Sequence, residues 1–171
     1  GGMGSTFNKA GSNIFIINLE DEGKIEKIID IEDSDESDIS NSIPASPVVI
    51  TPDLTVGIPW RGALVYSGDL EGKITKINLT NMMDDGQKPV ATPVFLYDHT
   101  TIFNLGSTVN NGRYLYHSMD ATMGRDTRKF WLYGGTGDYQ RINYGPSEDP
   151  DDLKSKLMDN VLFGFKDEAY P

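Results

Sequence analysis

The chain contains no cysteine, which closes off both a disulfide framework and thiolate chemistry. It also lacks a basic stripe. Its 15 Lys+Arg are outnumbered by 26 Asp+Glu, for a formal net charge of −11. A surface of that sign repels nucleic-acid phosphates and anionic lipid alike, so neither is an expected partner. No apolar run has the length of a membrane-spanning helix, and direct insertion is not expected. Histidine is scarce as well. His99 and His117 are the only two, and their spacing matches no zinc motif and no nucleophile elbow.

What is present is turn-rich and short in period. The 171 residues include 18 Gly and 9 Pro, with 37% hydrophobic residues, enough for one ordinary β-rich domain. One phrase occurs twice. Glu22-Gly23-Lys24-Ile25-Glu26-Lys27-Ile28 returns as Glu71-Gly72-Lys73-Ile74-Thr75-Lys76-Ile77, 49 residues later. Each copy follows an apolar run, Ile14-Phe15-Ile16-Ile17 and Ala63-Leu64-Val65-Tyr66. The repeated unit is therefore strand, Gly-bearing turn, strand. Self-similarity at this period marks solenoids and propellers.

Strands are expected over residues 13–19, 24–31, 46–50, 63–67, 73–79, 94–97, 102–105, 113–117, 129–133, 139–142 and 161–165. Residues 32–42 are acidic and Ser-rich and read as a mobile loop. Ser147-Glu148-Asp149-Pro150 carries helix-start signals, so one short helix is expected over residues 150–158. The resulting expectation is an all-β, propeller-like domain, a modified or partial propeller with four-stranded antiparallel blades, over residues 11–171. Gly1-Gly2-Met3-Gly4 reads as the edge of a piece of a longer protein, with residues 1–10 flexible. Three to four blades would fit the length, fewer than most closed rings use.

The order of several segments is similar to PilC/PilY-type proteins, which are type IV pilus biogenesis factors and adhesins. Ser46-Pro47-Val48, then Ala63-Leu64-Val65-Tyr66-Ser67-Gly68-Asp69-Leu70-Glu71-Gly72-Lys73-Ile74 and Asn78-Leu79, resembles one run of that family. Trp131-Leu132-Tyr133-Gly134-Gly135-Thr136-Gly137-Asp138-Tyr139 and Asn160-Val161-Leu162-Phe163-Gly164-Phe165-Lys166-Asp167 resemble two later ones. The resemblance implies a modified β-propeller at the cell surface, or in the periplasm near the outer membrane. It implies pilin or pilus assembly proteins as partners, and a host surface besides. Members of the family often carry an EF-hand-like calcium loop between the first two segments. Here residues 51–61 keep only Asp53 as an acid, whereas calcium takes ~6–8 oxygen ligands. The calcium site is therefore not carried over, and no cofactor is expected.

Other chemical readings are plainer than they first look. Asp33 and Asp35 sit in an acidic run with oxygens at alternating positions, but Asp38 and Pro44 stand where a calcium loop needs Gly and Glu. A solvated loop is the simpler reading. Gly134 to Asp138 has the glycines of a phosphate loop without its Lys-Ser/Thr. Gly68, Asp69, Gly72, Gly135 and Gly137 are read as turn residues, with the Asp69 carboxylate accepting backbone N–H groups to fix its hairpin. Tyr114, Tyr116, Trp131 and Tyr133 alternate, so each pair shares a face. These pack in the core or form an aromatic surface for a pilin or a glycan.

The expected function is binding without catalysis, through the polar connections 32–45, 81–90 and 118–128. Two rivals stand beside it. One is a quinoprotein-dehydrogenase-like propeller fragment, which would need a calcium–quinone pocket and a catalytic Asp. The other is a structural set of blades that completes another domain.

Overall fold

The computed structural model describes residues 11–32, 39–51, 62–80, 96–108, 111–125, 129–138 and 159–168. These residues form nine strands and no helix: β1 (Asn13–Asn18), β2 (Lys24–Asp30), β3 (Val48–Ile50), β4 (Leu64–Gly68), β5 (Lys73–Asn78), β6 (His99–Asn104), β7 (Asp120–Met123), β8 (Phe130–Gly135) and β9 (Leu162–Asp167). All pairings are antiparallel. The strands make three sheets, β1-β2, β3-β4-β5-β6 and β7-β8-β9. Each joins neighbours in sequence, the connection that hairpins permit.

The sheets stack as three layers with β3–β6 in the middle. Alternation along β4 shows this directly, since successive side chains point to opposite faces. Leu64 and Tyr66 join one core cluster with Ile74, Leu115, Met119, Phe130 and Leu132. Val65 joins a different one with Ile77 and Ile29, flanked by Ile14 and Ile16. One face thus meets β7–β9 and the other meets the β1–β2 hairpin. Aromatic rings fill the first interface. Tyr66 stacks on Phe130 at 5.3 Å, and Phe103 stacks on Phe165 at 4.6 Å.

The repeated phrase forms corresponding hairpins in adjacent layers. Gly23 and Gly72 both hold positive φ, 81° and 77°. Burial separates the copies: Ile74 and Ile77 are buried, while Ile25 and Ile28 are half exposed. The middle sheet is covered on both faces and the β1–β2 sheet on one.

Several expectations need correction. Among the described residues only the middle sheet has the four strands expected of a blade; the other two have two and three, and no sheet closes on itself. Residues 113–117 are not a strand. Their backbone bonds go singly to different segments, with the Leu115 N–H donating to the Asp69 carbonyl and the Tyr114 carbonyl accepting from Gly137. No ladder can grow from such bonds. β7 lies inside the expected loop 118–128, because Asp120–Met123 pairs along β8. Gly134 and Gly135 continue β8 instead of turning. Leu96 and Tyr97, expected in a strand, form the turn that leads into β6. Residues 39–43 are buried, against the expectation of a mobile loop over 32–42 and of a presenting loop over 32–45. The expected helix over 150–158 and strand over 139–142 lie outside the described residues, as does the loop 81–90.

Candidate functional site

The β4–β5 turn is the most heavily enclosed polar feature among the described residues. It needs Gly72 at positive φ, and space there is short. A Cβ on Gly72 would lie 3.1 Å from the Arg113 carbonyl oxygen and 3.2 Å from the side chains of Leu105 and Ser107. The segment 39–43 covers the turn from another side, with the Leu70 N–H donating to the Ser42 carbonyl at 3.0 Å. Ile39, Leu70 and Tyr114 form a small apolar cluster beside it, with Tyr116 packed against them. Tyr114 and Tyr116 meet edge to face at 6.1 Å, as part of that packing.

Four polar side chains are gathered inside this cover. Asp69 Oδ1 accepts the Lys73 backbone N–H at 2.9 Å. Asn41 Nδ2 donates to Asp69 Oδ2 at 3.1 Å and to Glu71 Oε2 at 2.6 Å. Lys73 Nζ pairs with the same Glu71 oxygen at 3.0 Å. Two carboxylates thus share one amide, and the ammonium pairs with one of them, Glu71. Burial pushes the Asp69 carboxyl up to about 6; its bonds from Lys73 and Asn41 oppose the rise, and the Glu71 charge adds to it. Burial also holds the Lys73 ammonium below its ordinary value. Such a cluster can hold or release a proton near neutrality.

A second buried cluster ties the middle sheet to β9. Asp167 Oδ2 accepts from the Tyr66 hydroxyl at 2.8 Å and from Lys76 Nζ at 2.7 Å. Both ends of this ion pair are nearly enclosed. Sequence reasoning missed Tyr66, Lys76 and Asp167 as a polar set, as it missed Asn41 in the first cluster, and nothing in their spacing could have revealed either. Partners 91 and 101 residues apart meet only through sheet stacking.

The remaining candidates are scattered. Gly68 ends β4, where a Cβ would press on Leu115 at 2.8 Å. Gly135 ends β8, and two residues on the Gly137 N–H donates to the Tyr114 carbonyl. Asp33, Asp35 and Asp53 lie outside the described residues. His99 and His117 are both exposed. Among the described residues no group of three or more His, Cys, Asp or Glu could hold a metal ion. No helix among them is long and apolar enough to cross a membrane. On the outer face of β8, Trp131 and Tyr133 lie with ring centroids 6.2 Å apart and planes 15° from parallel.

No family model matches the chain, and no curated protein or solved structure matches it either.

Proposed function

We propose that this chain is a propeller-like binding domain, without catalytic activity, from a PilC/PilY-type protein of the type IV pilus system at the cell surface or in the periplasm. The carrying observation is the middle sheet, a four-stranded antiparallel meander packed face to face between two others, as propeller blades are. The segments that resemble the family support the same reading. Ser46–Asn78 supplies β3 to β5 of that sheet, and the two later segments supply the paired strands β8 and β9. Binding rather than chemistry suits a site whose charged groups are spent on one another. The partner on this reading is a pilin or a pilus assembly protein. The test is a pull-down with the immobilised chain and purified pilins and assembly proteins. Retention of one of them by this chain, and not by an unrelated acidic β protein, is expected. Retention of none would sink the pilus reading.

The structural reading has an observation of its own. The outer face of the β1–β2 hairpin carries Phe15, Ile17, Ile25 and Ile28, each about half exposed. The bulge at Ile16/Ile17 puts all four on one side, in the cross-strand pairs Phe15–Ile28 and Ile17–Ile25. A further sheet laid here would extend the stack. Sedimentation of the chain and of Phe15→Lys distinguishes the cases: self-association removed by the substitution favours this reading, and a monomer in both disfavours it.

A further inference from the structure

The outer face of β7–β9 carries two aromatic rings flanked by polar side chains. Direct cross-strand partners share a face, so the ladder defines what stands there. Trp131 lies between Thr122 on β7 and Lys166 on β9, and Tyr133 lies between Asp120 and Gly164. Gly135 pairs with Leu162, whose side chain is 93% exposed. The aromatic rings thus form the middle row, with a carboxylate, a hydroxyl and an ammonium at their flanks.

Gly164 sets how the rings lie. A Cβ there would come within 2.6 and 2.7 Å of the Cε1 and Cδ1 edge of the Tyr133 ring, so only a glycine leaves that ring its place. The Trp131 plane is only 15° away from it. The result is a row of two nearly parallel rings along β8, with Tyr133 45% exposed. Core packing does not require this arrangement. The inner face of the same strands already supplies Phe130, Leu132, Phe163 and Phe165 to the interface with the middle sheet. The Tyr66–Phe130 and Phe103–Phe165 stacks lie there too, on the opposite side.

We propose that this face is a carbohydrate-binding platform on which Trp131 and Tyr133 stack against an extended, equatorially linked, neutral oligosaccharide. The chemistry of each part argues for that ligand. A pyranose with equatorial hydroxyls presents C–H groups on its face, and these fit an aromatic ring. Its hydroxyls project sideways, towards Asp120, Thr122 and Lys166, which offer both donors and acceptors. Two rings set in a row along one strand suit a straight chain and not a coiled one. The net charge of −11 disfavours acidic glycans, which narrows the class to neutral sugars. This inference goes beyond the pilus reading and does not depend on it.

The experiment is a titration of the full chain with cellohexaose, chitohexaose and maltohexaose, read by tryptophan fluorescence and by NMR chemical shifts. Saturable binding of cellohexaose or chitohexaose is expected, with little for the coiled maltohexaose. Shifts should concentrate at 120–122, 131–133 and 162–166. Trp131→Ala and Tyr133→Ala should each weaken binding about ten-fold, the cost of one lost stacking surface. The shift map is read on the unmutated protein, so an unfolded variant does not spoil the test. Absence of binding by all three sugars overturns the proposal. So does binding that maps elsewhere or survives Trp131→Ala, and so does a pilin that occupies this face while no sugar does.

Discussion

Asp69 shows how one side chain can carry a turn and a proton together. Its Oδ1 closes the hairpin by accepting the Lys73 N–H, which a neutral carboxyl can also do. Its charge is the disfavoured part, since burial raises its pKa from 3.8 to about 6. A carboxyl raised in the folded state contributes its stability fully below the unfolded value. That contribution is lost as pH climbs through the folded one. Between about pH 4 and pH 6 the Asp69 term should therefore fall, by on the order of 2–3 kcal/mol, and then level off. Asp69→Asn keeps an oxygen for the Lys73 N–H and removes the titration. Urea unfolding at pH 4.5 and pH 7 should find the variant gaining on the parent as pH rises. A difference that stays constant between the two pH values counts against a raised Asp69 pKa.

At the scale of elements, the repeated hairpin offers an internal control. Gly23 and Gly72 occupy the same place in the same phrase and have nearly the same φ. An alanine at either pays the left-handed penalty of roughly 1–2 kcal/mol. Only Gly72 is also crowded, by Arg113, Leu105 and Ser107, while a Cβ on Gly23 meets nothing within 4 Å. Gly72→Ala is thus expected to destabilise more than Gly23→Ala, with the excess measuring how far those neighbours can yield. Equal losses in thermal unfolding would mean that the cover over the β4–β5 turn is loose. The hairpins themselves were legible in the sequence, because a Gly-bearing turn between alternating apolar residues is a local signal. β7 was not. Asp-Ala-Thr-Met carries little strand preference, and it becomes a strand because β8 offers it an edge. Residues 113–117 are the opposite case, a β-like pattern with no ladder to join.

For the molecule as a whole, the Lys76–Asp167 pair, with the Tyr66 hydroxyl beside it, is a polar link between two layers that also share an apolar core. Removing one partner leaves a buried charge without its counterpart, which typically costs ~3–5 kcal/mol. Asp167→Ala should lose stability on that scale, with the Tyr66 hydroxyl also deprived of its acceptor. The combination Lys76→Met with Asp167→Leu should recover much of the loss, because neither charge then remains. Chemical denaturation of the single and double variants checks this. A double variant no better than Asp167→Ala would mean that the pair's geometry, and not its charge balance, holds the layers in register.

The sequence by itself determined the all-β class, the two related hairpins and the turn glycine in each. Those features depend on contacts within a few residues, and a one-dimensional pattern records them. Only the tertiary structure decided which copy of the repeat is buried, since Ile25 and Ile74 sit in nearly the same phrase and differ chiefly in what is stacked on them. It also decided that residues 39–43 pack inward, that Asn41 joins Asp69 and Glu71, and that Asp167 meets Lys76. Those outcomes follow from sheets packing face to face, which brings distant segments together and excludes the water that would otherwise solvate their charges.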